Sequence, residues 1–113
     1  MSQIKIQILD ENKKLVNEYI INRLNIRANA RRLALTKPIL ELEVSEQEKG
    51  QLLTCAALAA TLCGKDGKLL YPDENGATEI YDNLDIDEFG ILCQSYVEIN
   101  PLEPTLTAKK KKS

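Results

Sequence analysis

The segment formed by residues 52–63, LLTCAALAATLC, limits the folds open to this chain more than any other. As a helix it would be apolar on nearly every side, so it must be buried on several sides, within its own fold or against another chain. It is too short to cross a bilayer, and it contains two threonines. Ser45 and Glu48 precede it as an S-x-x-E capping box, and Gly64 follows it. We therefore predict a helix that begins at Ser45 and runs to Cys63, with Gly64 just past its end.

The N-terminal part reads as a strand followed by a helix. Residues 4–8, IKIQI, alternate apolar and polar side chains, which is a strand pattern. Residues 15–21, LVNEYII, are predicted to return as the second strand of a hairpin; the competing interpretation is a helix that begins at Asp10. Residues 25–35, NIRANARRLAL, then favour a helix that Pro38 ends.

Two turns and two helices are predicted after the central helix. Asp66-Gly67 and residues 72–76 have turn chemistry, with a short extended piece between them. Residues 78–84 favour a short helix, and residues 85–88, DIDE, resemble a second capping box that opens a helix ended by Pro101. The apolar residues of this last helix recur at spacings of three and four, as a stripe that packs on a neighbour: Ile86, Phe89, Cys93 and Tyr96.

Length and composition indicate one small domain. The chain has 113 residues, of which 43% are hydrophobic and only 4% aromatic, so its core must be built from Leu, Ile, Val and Ala. We predict a mainly α (α+β) fold: a small helical domain with an N-terminal strand or β-hairpin. Residues 1–104 would form the domain, divided into an N-terminal part (1–44) and a helical core (45–104), and residues 105–113 a disordered cationic tail.

The net charge of −2 hides an asymmetry. Residues 1–37 contain eight Lys and Arg against three Asp and Glu, a net charge of +5. Residues 38–108 contain three against fourteen, a net charge of −11, and the final lysine run adds +4. This pattern predicts two solvated surfaces of opposite sign that attract each other or a partner.

No residue pattern points to catalysis. Histidine is absent, which removes the commonest general base and metal ligand. The three cysteines form no C-x-x-C pair, and an odd number without a signal peptide favours a reducing cytoplasm. Cys55 and Cys63 lie in an apolar run and are interpreted as small buried hydrophobes. We therefore predict no enzyme, no catalytic residue, no cofactor and no metal site.

Two acidic segments are interpreted structurally. Residues 71–82, YPDENGATEIYD, resemble half of an EF-hand loop, but Tyr71 occupies the first ligand position and Asp82 the last, so a turn is the preferred interpretation. The acidic residues 85–88 suit a helix start, where the helix dipole favours negative charge.

An arginine stripe supports a rival function. Arg23, Arg27 and Arg31, joined by Arg32, would line one helix face at i, i+4 spacing and could bind phosphates. No aromatic residues alternate with them, and the chain beyond them is acidic. A small nucleic-acid-binding regulator is therefore the alternative function, and a solvated face is the preferred interpretation.

Residues 45–102 contain an apolar helix, the turn DGKLLY at 66–71, an acidic stretch and a helix that ends in Ile99-Asn100. In this order of features they resemble the tail assembly chaperones of long-tailed bacteriophages. Those proteins have an apolar helix, then a D-x-x-G-x-x-L-F-like turn, matched here by residues 66–71, DGKLLY. An acidic stretch follows, and then a helix that ends in an L-N-like pair, matched by Ile99-Asn100. Residues 1–44 have no such match.

The resemblance implies a binding protein of the host cytoplasm that forms homo-oligomers. Its short form would coat the tape-measure protein and keep it soluble, and a longer form would recruit tail-tube subunits. The longer form would arise by ribosomal slippage on adenines, which could encode residues 109–112, KKKK; a solubilising cationic tail is the alternative. The candidate contact residues, which also suit core positions, are Leu52, Leu53, Leu58, Ile86, Phe89 and Tyr96.

Overall fold

The computed structural model describes residues 2–101, which begin with a β-hairpin. Strands β1 (Gln3–Leu9) and β2 (Leu15–Asn22) pair antiparallel, so the predicted hairpin is confirmed and the competing helix from Asp10 is not formed. The Asp10 carboxylate accepts two backbone amides of the turn at 2.9 Å each. A two-residue strand, β3 (Leu62–Cys63), pairs antiparallel with β2, and the sheet order is β1-β2-β3.

Four helices complete the described fold: α1 (Ile26–Leu40), α2 (Glu46–Thr61), α3 (Gly76–Asn83) and α4 (Ile86–Ile99). Three of them begin at a side-chain cap, in which an Asn, Ser or Asp oxygen accepts a backbone amide of the first turn. The short helix predicted after the acidic turn is confirmed as α3, and the α+β fold class is confirmed with it. The predicted tail, residues 105–113, lies outside the described residues.

The capping boxes form in part. The Ser45 hydroxyl accepts the Glu48 amide at 3.1 Å, as predicted. The Glu48 carboxylate instead accepts a hydrogen bond from the Tyr81 hydroxyl at 3.2 Å, which ties α2 to α3. Asp85 accepts the amides of Asp87 and Glu88 at 3.0 and 3.2 Å and so caps α4.

Two predicted helix ends are wrong. Pro38 does not end α1, which continues to Leu40. Pro38 has no amide to donate to the Ala34 carbonyl and its ring crowds that carbonyl, but its fixed φ is helical, and the helix continues for only two more residues. The central helix ends at Thr61 rather than Cys63, because residues 62–63 are extended and pair with β2.

The core forms around α2, which packs on α1, α3, α4 and β2. Its residues from Cys55 to Thr61 are all buried, so the nearly all-round apolar helix is buried within its own fold. A Cβ on Gly76 would lie 2.7 Å from the Tyr71 carbonyl oxygen and 3.2 Å from the Ala59 Cβ, so only glycine lets α3 start this close to α2. None of the described helices is both long and apolar enough to cross a membrane.

Candidate functional site

An open apolar groove of ≈ 590 Å³ lies between α2 and α4, and we call it the α2–α4 groove. Arg32 of α1 stands at its edge. The side formed by α2 consists of small and apolar residues with two glutamines: Gln47, Gly50, Gln51, Leu53, Thr54 and Ala57. The side formed by α4 is aromatic and aliphatic: Phe89, Cys93, Tyr96 and Val97.

A second cavity of ≈ 330 Å³ adjoins the groove, since Gln51 and Phe89 line both. It reaches under α3, where Ile80, Tyr81 and Leu84 line it, and it includes Ile86 at the start of α4. We call the groove and this adjoining cavity together the channel.

The groove exists because α4 has a wider apolar face than its neighbours cover. Leu92 and Ile99, at the centre of the buried side, are 0% and 5% exposed. Farther round the helix, Cys93 is half-buried, Val97 is 46% exposed and Ile86 is 70% exposed. The predicted stripe therefore borders the core rather than filling it, and its outer half remains in contact with solvent.

Gly50 leaves the α2 side of the groove without a side chain at this position. A Cβ built on this glycine would meet nothing within 4 Å. No contact within the described residues therefore requires a glycine at this position. A glycine inside a helix costs about 0.5–1 kcal/mol relative to alanine. The missing side chain, with Thr54 one turn later, lets another backbone approach α2 closely.

The one charged side chain among the described residues that line the groove, Arg32, comes from α1. The Arg32 guanidinium donates two hydrogen bonds to the Asn29 side-chain oxygen, at 2.9 and 3.1 Å. Burial raises the pKa of the Tyr96 hydroxyl, and the positive charge of Arg32 lowers it in part. The groove therefore presents one cation, while the other described residues that line the channel are uncharged.

The thiols beside the groove are not activated. Burial raises the pKa of the Cys55 thiol to about 12, and it raises the pKa of the Cys93 thiol as well. Both cysteines are therefore protonated at neutral pH, and a protonated thiol is a poor nucleophile. Most of the other residues that line the groove are apolar or small.

The six predicted contact residues separate into two groups. Leu52 and Leu58 are 5% and 0% exposed core residues, so a partner cannot reach them in the folded chain. The other four line the groove or the adjoining cavity: Leu53, Ile86, Phe89 and Tyr96. Sequence reasoning missed Val97, although its spacing of four from Cys93 extends the same stripe, and it missed Gly50 as part of a binding surface.

The acidic turn folds around an arginine side chain. Arg31 donates to the carbonyl oxygens of Tyr71 and Asp73, at 2.6 and 3.1 Å. No group of three or more potential metal ligands occurs within residues 2–101. The turn predicted from Asp, Asn and Gly is present, closed by a hydrogen bond from the Gly76 amide to the Asp73 carbonyl.

The predicted arginine face is not formed as one surface. Arg23 precedes α1, which begins at Ile26, so it does not share a helix face with Arg27 and Arg31. Arg31 is folded over the acidic turn, and Arg32 points to the groove edge. The four arginines therefore do not line up along one helix.

The chain matches no known family model, no curated protein and no solved structure.

Proposed function

We propose that this protein is a non-enzymatic tail assembly chaperone that binds the tape-measure protein of a long-tailed phage in the α2–α4 groove. The observation that supports this most directly is the uncovered outer half of the apolar face of α4, where Val97 is 46% exposed. The sequence resemblance of residues 45–102 supplies the class of client.

A helix is the partner that suits this groove best. Two helices form its walls, and an amphipathic helix lies naturally in such a groove with its apolar stripe against them. Gly50 and Thr54 let the client backbone approach α2, and Phe89 and Val97 offer apolar contact from the other side. Each such side chain contributes up to about 1.5–3 kcal/mol when it becomes fully buried.

Binding in this groove would keep a long helical client soluble. A tape-measure helix that exposes an apolar stripe would aggregate, and covering the stripe removes that surface from water. Release of the chaperone from the tape-measure protein would need no covalent reaction, because tail-tube subunits could compete for the same apolar stripe as the tube grows. The protonated thiols beside the groove are consistent with a role limited to binding.

Co-expression with the tape-measure protein of the same genome tests the proposal. Val97→Asp would place a charge in the groove, and we expect the yield of soluble tape-measure protein to fall to that seen without chaperone. Leu33→Asp is the matched control, since Leu33 is 49% exposed on α1 and does not line the groove. Circular dichroism of both variants would establish that they fold.

Equal behaviour of the two variants would contradict the groove as the client site. A tape-measure protein that stays equally soluble without the chaperone would contradict the function itself. Salt-sensitive retention of the wild-type chain on DNA or RNA would instead favour the nucleic-acid regulator.

The expected longer form has its own test. The gene with its downstream DNA would be expressed and the intact products weighed by mass spectrometry. We expect a minor longer product that shares this N-terminus and diverges near Lys110. Its absence would remove the frameshift from the proposal and leave the groove experiment unaffected.

A further inference from the structure

Strand β1 is the outer strand of the sheet. The order β1-β2-β3 gives β1 one strand neighbour, so its other edge has no strand partner among the described residues. The seven residues Gln3–Leu9 include no proline or glycine to discourage pairing. Such an edge presents a row of backbone amides and carbonyls to which another strand can bind.

The two faces of β1 differ in polarity. Ile6 and Ile8 are buried on the face that packs against α4. Lys5 and Gln7 point to the opposite face, and there the Gln7 side chain donates to the Glu18 carboxylate of β2 at 3.1 Å. A strand added to the edge must therefore bring apolar residues to one face and polar residues to the other.

We infer that β1 pairs antiparallel with β1 of a second copy of this chain, about a two-fold axis at Ile6. This register pairs all seven residues: Gln3 with Leu9, Ile4 with Ile8, and Lys5 with Gln7 of the other copy. Each isoleucine meets an isoleucine on the face covered by α4, so the apolar row continues across the axis.

The neighbouring registers are poorer. An axis at Lys5 would place two lysines directly opposite each other, which is destabilising. An axis at Gln7 would leave Gln3 and Ile4 unpaired. The axis at Ile6 instead places each Lys5 beside the Gln7–Glu18 pair of the other copy, where its positive charge is complemented by the Glu18 carboxylate.

Helix α4 supports the same arrangement. Glu88 accepts hydrogen bonds from Asn17 and Tyr19 of β2, so this side of α4 faces the sheet. Ile91, one turn later on that side, is 43% exposed in the single chain. Joining two sheets at β1 would place both α4 helices on the same face of one six-stranded sheet, with Ile91 as an exposed apolar side chain available for contact there.

The test introduces a charge into β1 and measures the molar mass of the full chain by light scattering across a wide range of concentration. We expect a dimer for the wild type. Gln7→Lys sets two like-charged pairs across the axis, while within one chain the new lysine faces Glu18, so folding is preserved. We expect its dimer dissociation constant to rise about tenfold.

The double variant Lys5→Glu with Gln7→Lys restores opposite charges at both positions, and we expect it to recover the dimer. A wild-type chain that stays monomeric at every concentration would overturn the inference. So would a Gln7→Lys dimer of unchanged affinity, or a double variant no tighter than the single one. None of these residues lines the α2–α4 groove, so the result is independent of client binding.

Discussion

Replacing Gly50 by alanine should raise the stability of this protein and weaken its binding of the proposed client helix. Gly50 lies inside α2, and an added Cβ would meet nothing within 4 Å. Alanine is the better helix former by about 1 kcal/mol, partly because the unfolded chain loses freedom. We expect the free energy of unfolding to rise by about 0.5–1 kcal/mol, and Tm to rise by about 4 °C.

Gly76→Ala is the matched control. Its Cβ would lie 2.7 Å from the Tyr71 carbonyl oxygen and 3.2 Å from the Ala59 Cβ, and neither atom belongs to a flexible side chain end. Crowding of this kind costs about 1–3 kcal/mol. The same chemical change should therefore raise stability at Gly50 and lower it at Gly76.

Urea unfolding followed by circular dichroism measures both effects, and titration of a labelled tape-measure fragment measures binding. Because Gly50 lines the groove, its new methyl group should hinder close approach of the client and weaken binding. A destabilised Gly50→Ala variant would refute the packing argument. A stabilised variant with unchanged affinity would show that the client does not approach α2 at this residue.

Other residues give further predictions. Asn100→Ala should lower the free energy of unfolding, measured by urea denaturation, by about 1–3 kcal/mol. The reason is that the Leu24 amide, which donates to the Asn100 side chain at 2.7 Å, would lose its acceptor. Iodoacetamide, followed by mass spectrometry, should modify half-buried Cys93 before Cys55, which is 1% exposed. Burial and Glu88 raise the pKa of Tyr19 from 10 to about 12, so its protonated form is favoured in the fold. The contribution of Tyr19 to the free energy of unfolding should be fully present below pH 10 and lost as the pH rises towards 12. Tyr19→Phe should therefore reduce the fall in the free energy of unfolding over this pH range. An unchanged dependence of that free energy on pH would contradict the assignment.

Local signals predicted much of the fold. The capping residues Ser45 and Asp85 located the starts of α2 and α4, because caps act within one turn of the chain. Alternation in residues 4–8 predicted β1 for the same reason, since side chains alternate across any strand. The end of α2 was predicted wrongly because Leu62 and Cys63 are extended through pairing with β2, a strand that is distant in sequence.

The groove could be predicted only in part. Leu52 and Leu53 are adjacent and chemically identical, yet one is buried in the core and the other lines the groove. A helix turns by about a quarter of a circle per residue, so burial depends on where the neighbouring helices lie. Spacing identified the apolar face of α4, but how much of it the other helices cover is a property of their packing.

The first and next-to-last described residues of the chain lie close to the same connection between β2 and α1. The Arg23 amide donates to the Ser2 carbonyl at 2.9 Å, and the next residue, Leu24, donates to the Asn100 side chain at 2.7 Å. Residues near both ends of the described chain are thus anchored to one short connection between β2 and α1. A linker of a few residues could join these two ends, and the protein could then be opened in the β1–β2 turn instead. The order of elements along the polypeptide would change, while β1 would keep its edge and the α2–α4 groove its walls.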